Sequence, residues 1–467
     1  MKKLLISMIV VVMLLAGCLT IFAACEDAAD YEHTIIFYSS QGDSLQTQTQ
    51  NAIKTFEEKY PGWKVQHIAP GGYDQVLSKV RSDIQAGLQP DLAYCYADHV
   101  AQYLSSELVV DLNKYLLKAD NYDVPLEDGT TKTVRIGFTQ EEKDDFVEGY
   151  FNEGYASYYY GVPASYDKNA LFTLPFVKST ELLYYNADAL EELGLQPATT
   201  WDELWRQCAI IAEKWEGCTP LGYDSEANWF ITTAMQRGFG YTTVEGDNRY
   251  IFNNDGAKAW LEEIAGYYDK GWITTQELYG SYTSGLFIKG PEKGGLVYCI
   301  GSSAGASNQK SSAFTTGVTG IPAYVDAQGK LHDECISQGP SLVMLRGGHS
   351  VSNPDEKEIM TWLFMKELLD PTFQATFSKA SGYNPSRKSV YEVPFYADFL
   401  DNADSDVVAR AALAAEGLTE RYFTSPAFVG SSTAREQVGN VVQYVISGQK
   451  PDAAKALRDA YKNCGGK

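Results

Sequence analysis

The runs Thr34-Ile-Ile-Phe-Tyr38, Trp63-Lys-Val-Gln-His-Ile68 and Pro90-Asp-Leu-Ala-Tyr-Cys-Tyr96 decide how this chain folds. Each is short, rich in β-branched and aromatic residues, and bounded by turn chemistry such as Ser39-Ser-Gln-Gly42 and Pro61-Gly62. Between them, residues 44–59 place Ile53 and Phe56 on one helical face. Residues 73–86 form a second helical stretch, closed by Gly87. Strand, helix, strand, helix, strand predicts an α/β fold with a parallel sheet.

Working outward, the alternation loosens between about 117 and 160, where Asp, Glu, Lys, Gly and Tyr dominate and an insertion or long surface excursion is expected. Order returns at Leu174-Pro-Phe-Val-Lys-Ser-Thr-Glu-Leu-Leu-Tyr-Tyr-Asn186. Helices are expected at 188–193, at 201–216 behind the capping pair Thr199-Thr200, at 226–237 and at 255–270. A Gly/Ser-rich zone spans 280–320, and further helices are expected near 354–369, 371–379, 434–446 and 451–462. No repeat of 20–50 residues is visible.

The 467 residues amount to roughly two to four domains' worth of chain. With 38 Lys+Arg against 60 Asp+Glu, the formal charge of −22 argues against nucleic acid as a partner. Lys2 and Lys3 precede the apolar run Leu4 to Gly17, which ends at Cys18 and continues weakly to Cys25. This is the layout of a secretory signal. Leu15-Ala-Gly-Cys18 and Phe22-Ala-Ala-Cys25 both resemble a bacterial lipobox. Cys18 has the better motif, while Cys25 is followed by the polar tether Glu26-Asp-Ala-Ala-Asp-Tyr-Glu, which favours Cys25. Removing residues 1–24 takes away two lysines and leaves the charge at −24. No later run is long and apolar enough to span a bilayer, so membrane contact is expected through a lipid anchor only, on the extracellular face. The other six cysteines form no Cys-x-x-Cys pair and the five histidines show no metal spacing, so no metal or cofactor is expected. Cys208 and Cys218 are close enough in sequence to bridge, which spacing alone does not establish.

Six segments then carry a resemblance. Phe56 to Val65, Ala86-Gly-Leu-Gln-Pro-Asp-Leu92, Leu108-Val-Val-Asp-Leu112, Phe176 to Asn186, Thr199-Thr-Trp-Asp-Glu-Leu204 and Gly382-Tyr-Asn-Pro-Ser-Arg387 resemble, in the right order, motifs of bacterial extracellular solute-binding proteins of the maltose-binding type. The likeness spreads over residues 33–462. It implies a type II periplasmic-binding-protein-like fold, two α/β lobes joined by crossing hinge strands, with lobe one at 31–177 plus 338–385 and lobe two at 178–337 plus 386–467. It also implies a monomeric binding protein, not an enzyme, that holds a carbohydrate in the cleft and passes it to ABC permease subunits. The departures are the longer, tyrosine-rich 117–175 region and residues 301–305, where Ser303 stands in place of the family's frequent Trp.

Sugar rings pack their C–H faces on Tyr or Trp and need polar partners for their hydroxyls. In open α/β sheets ligands sit at the C-terminal ends of strands. Those loops supply Tyr38, Ser39, Ser40 and Gln41 after the first strand, against the competing reading of a capped turn. Tyr96 and Asp98 follow the third strand. On the crossing segment the resemblance points to Ser179 or Glu181, and in the second lobe to Asn228 and Trp229, with core packing as the alternative for Trp229. Tyr383 and Arg387 lie on the late turn, where pairing of Arg387 with a structural carboxylate is the favoured alternative. Trp201 reads as core and Asp91 as a turn cap. Gly301-Ser-Ser-Ala-Gly305 follows an expected strand, Leu296-Val-Tyr-Cys-Ile300, and fits a hydrolase elbow with Ser303 as nucleophile and His332 or His349 as base. An elbow runs straight into a helix, however, and 306–317 reads as a loop. Ser302 and Ser303 are therefore expected on a glycine-rich cleft loop. A secreted glycosidase is the least favoured function, behind the same scaffold carrying a different polar solute.

Overall fold

A computed structural model describes residues 31–40 and 43–466; the expected leader with Cys18 and Cys25, and Gln41, lie outside the described residues. Along the chain come β1 (Thr34–Tyr38), α1 (Asp43–Lys59), β2 (Lys64–Ile68), α2 (Tyr73–Ala86), β3 (Leu92–Cys95) and α3 (Ala97–Tyr103). Strand β1 pairs in parallel with both β2 and β3, as the alternation predicts. Gly87 ends α2 in the left-handed conformation at φ 70°, its N–H donating to the carbonyls of Asp83 and Ile84. The 117–160 stretch holds a hairpin (Asn121–Pro125 with Thr131–Arg135) and two short helices, the first opened by a reciprocal Thr139–Glu142 capping box. It buries Ile136, Phe138, Phe146 and Phe151 against Trp362, whose indole N–H donates to the Ile136 carbonyl at 2.8 Å.

After β4 (Thr173–Pro175) the chain crosses to a second sheet. There follow β5 (Glu181–Asn186), α4 (Ala187–Leu193), α5 (Trp201–Lys214), β6 (Leu221–Tyr223), α6 (Glu226–Arg237), α7 (Asp255–Asp269), β7 (Ile273–Thr275), β8 (Tyr298–Ser302) and β9 (Thr316–Gly320). It returns into β10 (Ser341–Met344), α8 (Pro354–Leu368) and α9 (Pro371–Ser381). It then leaves through Asn384–Pro385 for α10 (Val407–Glu416), α11 (Ser431–Ile446) and α12 (Ala453–Asn463). The sheet orders are β2-β1-β3-β10-β4 and β7-β6-β8-β5-β9. In each, three parallel strands are followed by one antiparallel strand, β10 or β5, that the chain enters directly from a crossing.

The crossings touch one another. Val177–Lys178 pairs with Asn384–Pro385, Ser179 bridges Gln338, and Cys335–Ile336 runs parallel to Tyr422–Phe423. Gly339 sits here at φ 95°, and a Cβ on it would lie 2.5 Å from the Val177 carbonyl oxygen, so only glycine lets the two segments approach. The first lobe's core packs Phe37, Phe56, Trp63, Tyr94, Trp362 and Phe364; the second's packs Trp201, Trp205, Tyr223, Trp229 and Trp260 with Val438, Val442 and Leu457. Large aromatics dominate both because each buries ~150–250 Å².

Two local expectations are corrected. Within the Gly/Ser-rich 280–320 zone the strand expected at 296–300 is present as β8 and is joined by β9, but the 306–317 stretch that reads as a loop begins inside a 3-10 helix over 303–309, with Ser302 accepting from the Ala304 amide at 3.2 Å. Asp91 is not a turn cap: it is buried, accepts from the Ile36 amide at 2.8 Å and lies 3.2 Å from the Lys357 ammonium. Cys208 and Cys218, whose bridging the spacing leaves open, are free thiols in the second lobe's core, small buried hydrophobes. Among the described residues no helix is long and apolar enough to cross a membrane, and no cluster of three or more His, Cys, Asp or Glu is arranged to hold a metal.

Candidate functional site

A cavity of about 390 Å³ lies between the two sheets, within the roughly 300–1,000 Å³ typical of small-ligand sites. The same local device opens it from both lobes. Strand β3 ends at Tyr96, which starts α3 in extended conformation and sets Tyr96, Asp98 and His99 on the cavity wall. Strand β6 ends just before Ser225, whose hydroxyl caps α6 by accepting from the Asn228 amide at 3.2 Å, and Ser225, Glu226 and Ala227 form the facing wall. Placing strand C-termini and helix N-termini on a shared crevice is how α/β sheets build binding sites.

The remaining lining comes from three places. Asp74 opens α2, and Glu153, Tyr159 and Thr173 reach in from the first lobe. Lys178 and Ser337 to Gly339 form the crossing floor, where Glu153 accepts from the Lys178 ammonium and from the Ser337 hydroxyl (3.0 Å). Helix α11 contributes a polar edge of Ser432, Arg435, Glu436, Asn440 and Gln443, opposite the buried Val438, Val441, Val442 and Val445. Across the mouth the Gln102 amide donates to the Ser432 hydroxyl at 2.6 Å, a direct lobe-to-lobe bond. The tyrosine-rich insertion also straddles the lobes. The Tyr160 amide donates to the Ala427 carbonyl, and the Arg249 guanidinium stacks 3.7 Å above the Tyr160 ring.

Of the residues singled out from sequence, Tyr96 and Asp98 line the cavity. Four more stand behind this wall. The Tyr96 ring packs on Tyr73 at 4.5 Å, the Tyr73 hydroxyl bonds that of Tyr383 at 3.1 Å, and Ser40 also bonds Tyr73. The Tyr38 hydroxyl donates to Asp83 at 2.7 Å, and the Ser39 hydroxyl bonds His67 at 2.7 Å. Neither Ser179 nor Glu181 faces the cavity. Ser179 is consumed by backbone pairing with Gln338, and Glu181 turns into the second lobe, where it accepts from the Tyr223 hydroxyl at 2.5 Å and bonds Asn228. Asn228 in turn accepts from Arg435, steadying a cavity cation without lining the cavity itself.

Trp229 is core, not a sugar platform. It is 1% exposed, stacked on Tyr223 at 4.9 Å and against Trp201 at 6.4 Å. Trp201 is core as its sequence reading has it, with its indole N–H on Gln236. Arg387 pairs with Asp145 at 2.7 Å and donates to the Leu369 carbonyl, which takes it out of the cleft. Ser302 spends its side chain on the Ala304 cap. The Ser303 hydroxyl is fully buried, accepting from the Thr180 amide at 3.4 Å, while His332 pairs with Asp326 and His349 stacks on Tyr31. The elbow geometry is not formed.

Sequence reasoning missed Lys178, Glu153, His99 and the α11 edge. The α11 signal was present as polar residues at 432, 436, 440 and 443, a helical stripe opposite four valines. Burial pushes the His99 imidazole below its usual value, against the pull of Asp98 and Asp74, and pushes the Glu226 carboxyl up. Glu181 is raised to about 7 by burial, against the pull of Tyr223, Asn228 and Arg435.

Comparison with known proteins places this geometry. A family model described as bacterial extracellular solute-binding protein matches residues 51–403. The sn-glycerol-3-phosphate-binding periplasmic protein UgpB of Salmonella typhimurium is 24% identical over 404 residues, covering 81% of this chain and 80% of its own, and that of Escherichia coli K12 is 25% identical over the same coverage. Among solved structures, the GacH receptor of Streptomyces glaucescens superposes with TM-score 0.70 at 17% identity, covering 92% of this chain and 98% of its own. UgpB of Mycobacterium tuberculosis in complex with glycerophosphocholine gives 0.70 at 18%, covering 92% and 97%. Maltose-bound MalE3 of T. maritima gives 0.68 at 18%, covering 92% and 99%.

Proposed function

Because the chain belongs to the bacterial extracellular solute-binding proteins, and so is a binding protein rather than an enzyme, we propose that it captures a sugar or short oligosaccharide between its lobes and delivers it to an ABC permease. The observation that carries this reading is the cavity's composition. Tyr96, with the largely buried Tyr159 and Tyr241 on the same lining, stands beside carboxylates, amides and hydroxyls drawn from both lobes, the mixture that ring faces and ring hydroxyls require. The lobes are taken as 31–177 plus 338–385 and 178–337 plus 386–467, moving about the touching crossing segments. A ligand that contacts both walls binds the closed form better, and that difference shifts the equilibrium toward closure. The mature protein is taken to be a monomer held to the membrane by a lipid on Cys25, with Cys18 as the alternative; mass spectrometry of the N-terminal peptide distinguishes them.

The test is calorimetry with the best sugar from a thermal-shift panel, since a ligand of the folded state raises its melting temperature. Tyr96→Ala and Asp98→Ala each lower affinity by about 5- to 150-fold, roughly 1–3 kcal/mol. Normal folding with parental affinity in both variants places the ligand elsewhere. UgpB relatives are named for sn-glycerol-3-phosphate, which makes a glycerophosphate the second reading, favoured by Arg435 and Lys178 on the wall.

A further inference from the structure

The charges around the cavity decide between those two ligand classes. Six carboxylates line it against two cations; Lys178 is ion-paired with Glu153, while Arg435 donates to the neutral Asn228 oxygen and keeps its charge. Glu226 is held by the Glu277 amide at 3.0 Å. Asp74, Glu277 and Glu436 have no ion-pair partner among the described residues, and Asp98 faces only the His99 ring at 3.9 Å. Carboxylates left over from pairing give the cavity and its mouth a negative potential, which attracts cations and repels phosphate. A second, independent feature marks this wall as a place for a ligand's hydrogen-bond donor. His99 lines the cavity at 2% exposure with its Nδ1 unpartnered, and a buried ring nitrogen without a partner is satisfied by a ligand hydroxyl or ammonium.

Resting on the sugar reading above, we infer that the cavity selects a sugar bearing an ammonium group over its neutral counterpart and excludes phosphorylated solutes. The ammonium lies between Asp98 and the mouth carboxylates Glu277 and Glu436, while Tyr96 takes the ring. A phosphate is disfavoured because carboxylates outnumber cations six to two around the cavity and one of those cations, Lys178, is already paired with Glu153.

The test uses three probes on one skeleton with the full mature protein: cellobiose, its 2,2′-diamino analogue (chitosan disaccharide) and cellobiose 6-phosphate, measured by calorimetry at low and high salt. The diamino sugar binds about tenfold tighter than cellobiose, the preference shrinks with added salt, and the phosphate gives no heat. Glu277→Gln combined with Glu436→Gln, both solvent-exposed positions whose folding is checked by melting, reduces the ratio between the diamino and neutral sugars. Equal binding of the diamino and neutral sugars, or binding of the phosphate as tight as cellobiose, overturns the inference and leaves the sugar reading standing. Absence of heat from all three while another sugar of the thermal-shift panel binds overturns this inference alone, and absence of binding across the whole panel removes the sugar reading with it.

Discussion

The two lobes share one strand plan but treat buried carboxylates differently. In the first, and at the crossing beside it, the buried Asp91 and Glu153 and the half-buried Asp145 sit against cations: Asp91 on Lys357 at 3.2 Å, Asp145 on Arg387 at 2.7 Å, Glu153 on Lys178. In the second, Glu181 is held by the Tyr223 hydroxyl and Asn228, Asp224 by the Thr283 hydroxyl and amide, both at 2.6 Å, and Glu226 by the Glu277 amide. Neutral donors compensate burial less than a full charge does, and burial raises the pKa of all three. The first lobe is therefore vulnerable to loss of a partner, the second to a change in pH. Depth still counts in the first lobe, since burial also raises Asp91 despite Lys357.

The sharpest way to break this contrast is Lys357→Met. It leaves Asp91 buried with the Ile36 amide as its remaining donor, and removing one member of a buried ion pair costs on the order of 3–5 kcal/mol. Chemical denaturation should show that loss. A cost under about 1 kcal/mol means Asp91 is already neutral and the first lobe resembles the second.

A somewhat smaller effect tests the second lobe. Glu181 has a folded pKa of about 7 against an ordinary 4.5, so the folded state binds the proton more tightly than the unfolded one. Its favourable contribution is full below about pH 4.5 and is lost as pH rises toward 7. Between pH 5 and 8 the parent should lose on the order of 2–3 kcal/mol more stability than Glu181→Gln, which cannot ionise. Parallel stability profiles for the two proteins refute the assignment.

Local order was legible in the sequence where the chain's own periodicity sets it. The first strand, the helix at 226–237 and the Gly87 stop appear where turn residues and apolar spacing put them. Strand β8 was legible as the apolar run Leu296 to Ile300, whereas β9 was hidden because its glycines carry no β signal; it forms by pairing on β5, a long-range contact. The site was half legible for a related reason. Tyr96 and Asp98 follow from the strand-end rule, which depends on sequence order alone. Trp229 obeys the same rule but sits on the inner face of α6, and which face a helix buries is settled by α7 and α5 packing on it. Lys178 and Arg435 are near each other only because the chain crosses between lobes more than once, which no local pattern encodes.

The smallest effect completes the contrast from the first lobe's side. Burial works against ionised Asp145, but the Ser389 hydroxyl and amide and the Arg387 guanidinium outweigh it and hold the carboxyl below its ordinary range. The sign is opposite to that of Glu181. With the folded pKa below the unfolded one, the stabilisation is present above the ordinary carboxylate pKa and is lost as pH falls through the folded value. Asp145→Asn keeps the shape, removes the charge and should cost about 1–2 kcal/mol at pH 7, the scale of a hydrogen bond to a charged group. At pH values low enough to protonate Asp145 in the parent, that cost should disappear. Urea denaturation of both proteins at neutral and acidic pH separates the outcomes. A cost that persists undiminished at low pH assigns Asp145 to packing rather than charge, and the pairing of carboxylates with cations then ceases to distinguish the first lobe from the second.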